Sequence, residues 1–233
     1  MTTTIADAFV RCVGRVDHAA MRDFGARLKA LFRASRGVRV TSREGTDLRC
    51  SMNRNRLSRL ADKLRGRPRS CVWDPSGQPL ESGQATFLEG QLAFLGKPDS
   101  IEGTAVVDGF QWPPREIGAL REPIVLRIER GVVTAIDGRG ESTALLRRWL
   151  EGRARNILHF SLGFNPGARM DGELCEAERA FGALTIGFGE HPFHTDAVMR
   201  RPSLELSQGV VQVDGRFVHP EVRALAGRLS REI

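Results

Sequence analysis

Between residues 84 and 137 the chain is cut into short apolar runs, QATFLEG, QLAFLG, EGTAVVDG, IVLRIERG and VVTAIDG, each closed by glycine. Short runs of β-forming residues ended by glycine, often with Asp or Arg just before it, are what antiparallel hairpins require. Glu129-Arg130-Gly131 and Asp137-Gly138 are the clearest turns. Trp112-Pro113-Pro114 marks a loop, because proline has no N–H to donate to a sheet ladder.

The ends of the chain have a different period. Ile5, Phe9, Cys12 and Val13 fall at helical spacing, with Gly14 as a stop. Asp17 can cap a second helix whose buried stripe is Ala20, Phe24, Leu28, Leu31 and Phe32. VRVTS and TDLRCSM then read as a hairpin around Arg43-Glu44-Gly45. Leu57, Leu60 and Leu64 predict a short helix in the segment that follows, and SCVW a short strand before the turn Asp74-Pro75-Ser76-Gly77. Further on, a helix capped by Ser142 buries Leu145, Leu146, Trp149 and Leu150. SLELS and VVQVDGRFV add strands with a hairpin at Asp214-Gly215, and Pro220 starts a terminal helix with Val222, Leu225 and Leu229 inward. The pattern predicts an α+β fold: a small N-terminal helix-hairpin lobe (1–70) followed by a mainly antiparallel, β-rich domain (71–233), the two joined as one continuous unit.

Charge is uneven. The chain carries a net +7, and Asn53 to Arg69 concentrates Arg54, Arg56, Arg59, Lys63, Arg65, Arg67 and Arg69 against Asp62. Such a patch attracts acidic partners. It has no interleaved aromatic residues, so a nucleic-acid partner is not expected. Cys12, Cys50, Cys71 and Cys175 form no CxxC pair and read as free, packed thiols. No apolar run approaches a membrane span and the N-terminus lacks the pattern of a secretion signal, so the expected location is the cytoplasm, with no membrane partner.

The chemistry-bearing stretch is Asn156 to Val198. His194 and Asp196 sit two apart on a strand-like run and so share one face. His159, in ILHFSL, can add a third ligand from a neighbouring strand. Two histidines and a carboxylate with open positions suit a non-haem iron or a zinc site; the alternative is two histidines satisfied within a core.

Several blocks in series resemble the C-terminal domain of metalloaminopeptidases of the aminopeptidase T type, and of 2,5-dihydroxypyridine dioxygenase. They are VRVTSREGTDL (38–48), DPSGQP (74–79), EGTAVVDG (102–109), PIVLRIERGVVTAIDG (123–138), ARNILHFSLGFNPGAR (154–169), AERAFGALTIGFG (177–189), HTD (194–196) and VDGRFV (213–218). The resemblance implies an aminopeptidase-like fold for the β-rich domain. Two-metal hydrolysis is not implied, because Gln78 and Thr185 stand where the aminopeptidases carry a carboxylate and a histidine. His159, His194 and Asp196 match the dioxygenase iron ligands one for one.

The short layout is also similar to the peptide-binding proteins of crocagin biosynthesis, a ribosomal-peptide (RiPP) pathway. That similarity implies a non-catalytic accessory protein that binds a precursor or leader peptide, without cofactor, as a homodimer or in complex with pathway enzymes. Arg56, Arg59, Lys63, Trp112, Phe160, Phe164, Phe188 and Phe193 are then the expected peptide-binding residues. The alternative is a mononuclear iron(II) or zinc enzyme with His159, His194 and Asp196 as ligands and Glu176 or Glu178 as acid/base.

Overall fold

A computed structural model describes residues 5–53, 72–73, 88–112, 119–171, 176–190 and 194–230. Helix α1 (Ile5–Phe9) runs into a π-helical turn (Val10–Gly14), and α2 spans His18–Ala34. Asp17 caps α2 as its position predicts: its Oδ1 accepts the Ala20 amide at 2.9 Å, satisfying one of the first-turn donors that helix geometry leaves unpaired. Ala20, Met21, Phe24, Leu28 and Phe32 form its buried stripe.

Among the described residues thirteen strands make one sheet, and every pairing between them is antiparallel. In chain order they are β1 (Gly37–Thr41), β2 (Asp47–Ser51), β3 (Val72–Trp73), β4 (Gln91–Phe94), β5 (Glu102–Trp112), β6 (Ala119–Glu129) and β7 (Val132–Asp137), then β8 (Ile157–Gly163), β9 (Leu184–Gly189), β10 (His194–Met199), β11 (Ser203–Leu206), β12 (Gly209–Val213) and β13 (Arg216–Phe217). The order across the sheet is β13-β12-β11-β1-β2-β5-β10-β9-β8-β4-β3, with β6 on β5 and β7 on β6. The long strand β5 is the branch point: its first residues pair with β2 and its last with β10, while β6 pairs along it. The close approach of β2 depends on Gly103, where φ is +128° and a Cβ would lie 2.1 Å from the Asp47 carbonyl oxygen. No side chain fits there.

The N-terminal hairpin sits in the middle of this sheet, and one apolar core runs from Ala20 to Leu229. The helix-hairpin lobe and the β-rich part are therefore knitted together. Helix α2 packs beside the last helix, α4 (Pro220–Leu229). Aromatic rings link helix to sheet: Phe32 meets Phe94 at 4.8 Å, Phe94 stacks on Phe160 at 5.1 Å, and Phe24 contacts Phe164 and Phe217. Each buried ring of this size contributes about 1.5–3 kcal/mol.

Helix α3 (Gly140–Trp149) departs from the predicted start. Its cap is Arg139, which makes no side-chain capping bond, and Ser142 lies inside the first turn. The backbone turns earlier, at Gly138 and Gly140, both at positive φ. Residues 88–90 of the QATFLEG run are not in a strand. The basic segment and the Asp74–Gly77 turn lie outside the described residues, as do Cys71 and Cys175. Cys12 and Cys50 are buried free thiols, and burial pushes them up to about 11 and about 12. Among the described residues no helix is long and apolar enough to cross a membrane.

Candidate metal centre

Strands β8, β9 and β10 lie side by side, and their register aligns His159, Gly187 and Asp196 in one row across the sheet. Neighbouring strands are about 4.8 Å apart, so His159 and Asp196 stand two strand widths from each other. They meet because the residue between them has no side chain. A Cβ on Gly187 would lie 2.2 Å from His159 Cε1 and 2.5 Å from Nδ1; the imidazole lies over the bare backbone of β9. A register shift between Ile157 and His159 accompanies this placement. His194 is two residues before Asp196 and pairs with Gly189, so a second glycine stands beside it on β9.

The result is compact. His194 Nε2 is 3.3 Å from Asp196 Oδ2, and His159 Nε2 is 3.6 Å from Asp196 Oδ1. The two rings are edge to face, 5.2 Å between centroids. One donor atom from each residue lies within 4.8 Å of the other two. Donors bound at about 2.0–2.2 Å to a single ion stand about 3.0–3.5 Å from one another, close to the two distances to the carboxylate. The Asp196 side chain is 7% exposed, and those of His159 and His194 are 15% and 18%. Asp196 Oδ1 is buried without a hydrogen-bond partner among the described residues. A buried carboxylate oxygen left in that condition is costly and calls for a partner beyond the protein, a cation or a water. The donor set thus fits one metal ion of the kind that takes two nitrogens and one oxygen.

Glu178 borders this cluster. It lies in a 3₁₀ turn (Ala177–Arg179), 8% exposed, and accepts a 2.7 Å hydrogen bond from Gln91 Nε2. Burial, reinforced by repulsion from Asp196, pushes its carboxyl up to about 7 against the opposing pull of Arg179, Gln91 and His194. Such a group can hold or take a proton near neutrality. Gln91 escaped the sequence reading; its one visible signal is an amide at the head of the otherwise apolar strand QLAF.

Glu176 has a different place. Its two oxygens take Nη1 and Nη2 of Arg11 at 2.9 and 3.0 Å, and Oε2 also accepts the Arg169 amide. This buried ion pair ties the N-terminal turn to the segment that carries Glu178. The hydrogen bond that Arg11 donates to Glu176 holds its guanidinium above its ordinary value despite burial. Of the two carboxylates expected as acid/base, Glu176 thus stands as the counter-ion of Arg11.

The structure places three of the expected peptide-lining aromatics in the core. Phe160, Phe164 and Phe188 are 1%, 2% and 0% exposed, packed in the core. Phe160 directly follows His159 and Phe188 directly follows Gly187, so strand alternation sends both rings to the opposite face from the cluster. Trp112 is placed as the last residue of β5, opposite Asp196 in register. Phe193, Arg56, Arg59, Lys63 and Gln78 lie outside the described residues.

Comparison with known proteins gives a family and a fold. The family model for NicX, 2,5-dihydroxypyridine 5,6-dioxygenase, matches residues 15–185, well over half of the chain. The structure of 2,5-dihydroxypyridine dioxygenase from Pseudomonas putida KT2440 superposes with a TM-score of 0.71 at 22% identity, over 93% of this chain and 63% of that one. Wild-type AmpT from Thermus thermophilus superposes with a TM-score of 0.61 at 14% identity, over 88% of this chain and 56% of that one. At these identities the two structures speak for the fold, and the chain spans less than two thirds of either. No curated protein sequence matches the chain. By the extent of the family match, the chain belongs to the 2,5-dihydroxypyridine 5,6-dioxygenase family.

Proposed function

We propose that this chain carries a mononuclear iron(II) centre of the dioxygenase type, acting on a small hydroxylated nitrogen heteroaromatic ring. The observation that carries the reading is the convergence of His159, His194 and Asp196 over Gly187, one donor atom from each within 4.8 Å of the others. An iron(II) ion held by such a set keeps open positions and supplies the one-electron chemistry that reaction with dioxygen needs. His159 and His194 present nitrogens that bind as neutral imidazoles, and Asp196 brings the single negative charge. Glu178, fixed by Gln91, can take or return a ring-hydroxyl proton at its carboxylate. Its burial keeps bulk water from that carboxylate.

The second reading is a cofactor-free, peptide-binding accessory protein. Three of the aromatics expected to line its groove are core residues. The test is oxygen uptake by the iron(II)-loaded protein with 2,5-dihydroxypyridine and its isomers, product being identified by mass spectrometry. Uptake that needs ring substrate and iron, and that disappears in His194→Ala/Asp196→Ala, supports the proposal. Metal-independent binding of acidic peptides, with no oxygen uptake on any ring, would favour the accessory role.

A further inference from the structure

The sheet face that carries the three donors continues as a polar layer. Ser161 stands opposite Thr185 and Thr185 opposite Val198, one step along the strands from the row His159–Gly187–Asp196. Both hydroxyl residues are wholly buried. Neither Ser161 Oγ nor Thr185 Oγ1 has a hydrogen-bond partner among the described residues, and the same is true of Asp196 Oδ1. Val198, in the same row, packs with Ala177, Ala180 and Ala183, so the layer is bordered by small apolar side chains.

A buried polar atom without a partner costs about 1–3 kcal/mol, and native proteins contain only a few per hundred residues. Here three fall on adjacent positions of one face. Directly opposed residues on paired strands have Cβ atoms about 4.5–5.5 Å apart, so both hydroxyls can reach one oxygen atom seated between them. Asp196 is the diagonal neighbour of Thr185, about 7–8 Å away, a gap that the same atom can bridge. Buried waters typically make about three hydrogen bonds to otherwise unsatisfied groups, the number this face offers.

We propose that Ser161 and Thr185 form a binding site for one water molecule, which donates a hydrogen bond to Asp196 Oδ1. Both are then positioning residues for the metal centre: the water holds one carboxylate oxygen and leaves the other directed at the ion. Outer partners that orient a metal ligand typically change affinity by about 10–100-fold. The role at the metal rests on the mononuclear-centre reading above; the water site itself does not.

Two measurements separate them. A high-resolution crystal structure of the metal-free protein should show one water within hydrogen-bonding distance of Ser161 Oγ, Thr185 Oγ1 and Asp196 Oδ1. Cobalt(II) titration followed by its visible spectrum should show Ser161→Ala/Thr185→Val weaker by about 10–100-fold with a shifted band, and Thr185→Ser close to wild type. A dry pair of hydroxyls predicts the opposite: the double variant melts at a higher temperature and binds cobalt unchanged. That result, or the lack of water density, overturns the proposal. Wild-type protein that shows the water but takes up no cobalt would sink the metal reading and leave the water site standing.

Discussion

Replacing Arg11 by methionine tests the link between the N-terminus and the candidate centre. The substitution keeps most of the buried volume and removes the charge. Glu176, fully buried, then loses both guanidinium donors and keeps the Arg169 amide. Removing one member of a buried ion pair typically costs about 3–5 kcal/mol, because the other charge is left uncompensated. Arg11 also donates to the Gly167 carbonyl and to Asp7, which places Arg11→Met at the upper end of that range. Total stabilities of about 5–15 kcal/mol make the loss easy to read in urea unfolding. The double variant Arg11→Met/Glu176→Leu removes both charges and should recover most of the loss. An Arg11→Met protein within about 1 kcal/mol of wild type would refute the reasoning, since it would mean that the pair is solvated and worth no more than a surface bridge.

Other outcomes follow from single positions. Gly187→Ala should keep the sheet, since alanine tolerates a strand backbone. The His159 ring must move, however, and cobalt(II) affinity should fall at least about 10-fold. Gly227→Ala, in α4 with nothing within 4 Å of the new methyl, serves as the control, stabilising the fold by about 0.5–1 kcal/mol and leaving metal binding alone. Glu178 gives a pH signature in the metal-free protein. Its carboxyl lies near 7 in the fold against an ordinary 4.5, so the folded state holds a proton that the unfolded chain has released. Stability attributable to Glu178 is present below about pH 4.5 and is lost as pH rises toward 7. The difference in unfolding free energy between wild type and Glu178→Gln should therefore change across that window and stay flat above it; no change there would show that Glu178 is solvated.

The parts of this molecule written in local pattern could be read from sequence. The Asp17 cap, the α2 stripe, the hairpin turns and the shared face of His194 and Asp196 each depend on residues a few positions apart. The donor cluster depends on strand order: only when β9 lies between β8 and β10 does Gly187 open the row in which His159 reaches Asp196. No spacing along the chain encodes that adjacency; strand alternation and the resemblance to dioxygenases named the three residues without the reason they meet. The burial of Glu176 against Arg11 spans 165 positions and was equally hidden. The fate of Phe160 was legible, however. A residue next to His159 on a strand must face away from it, and that rule alone separates the ring from the centre.

Anaerobic titration calorimetry with iron(II) tests the central claim most directly, carried out on the wild type and on His194→Ala/Asp196→Ala. The account predicts one equivalent bound by the wild type and none at the same concentrations by the double variant, with both proteins folded by circular dichroism. No uptake by the wild type, two equivalents, or equal binding by the variant would contradict a mononuclear centre at His159, His194 and Asp196.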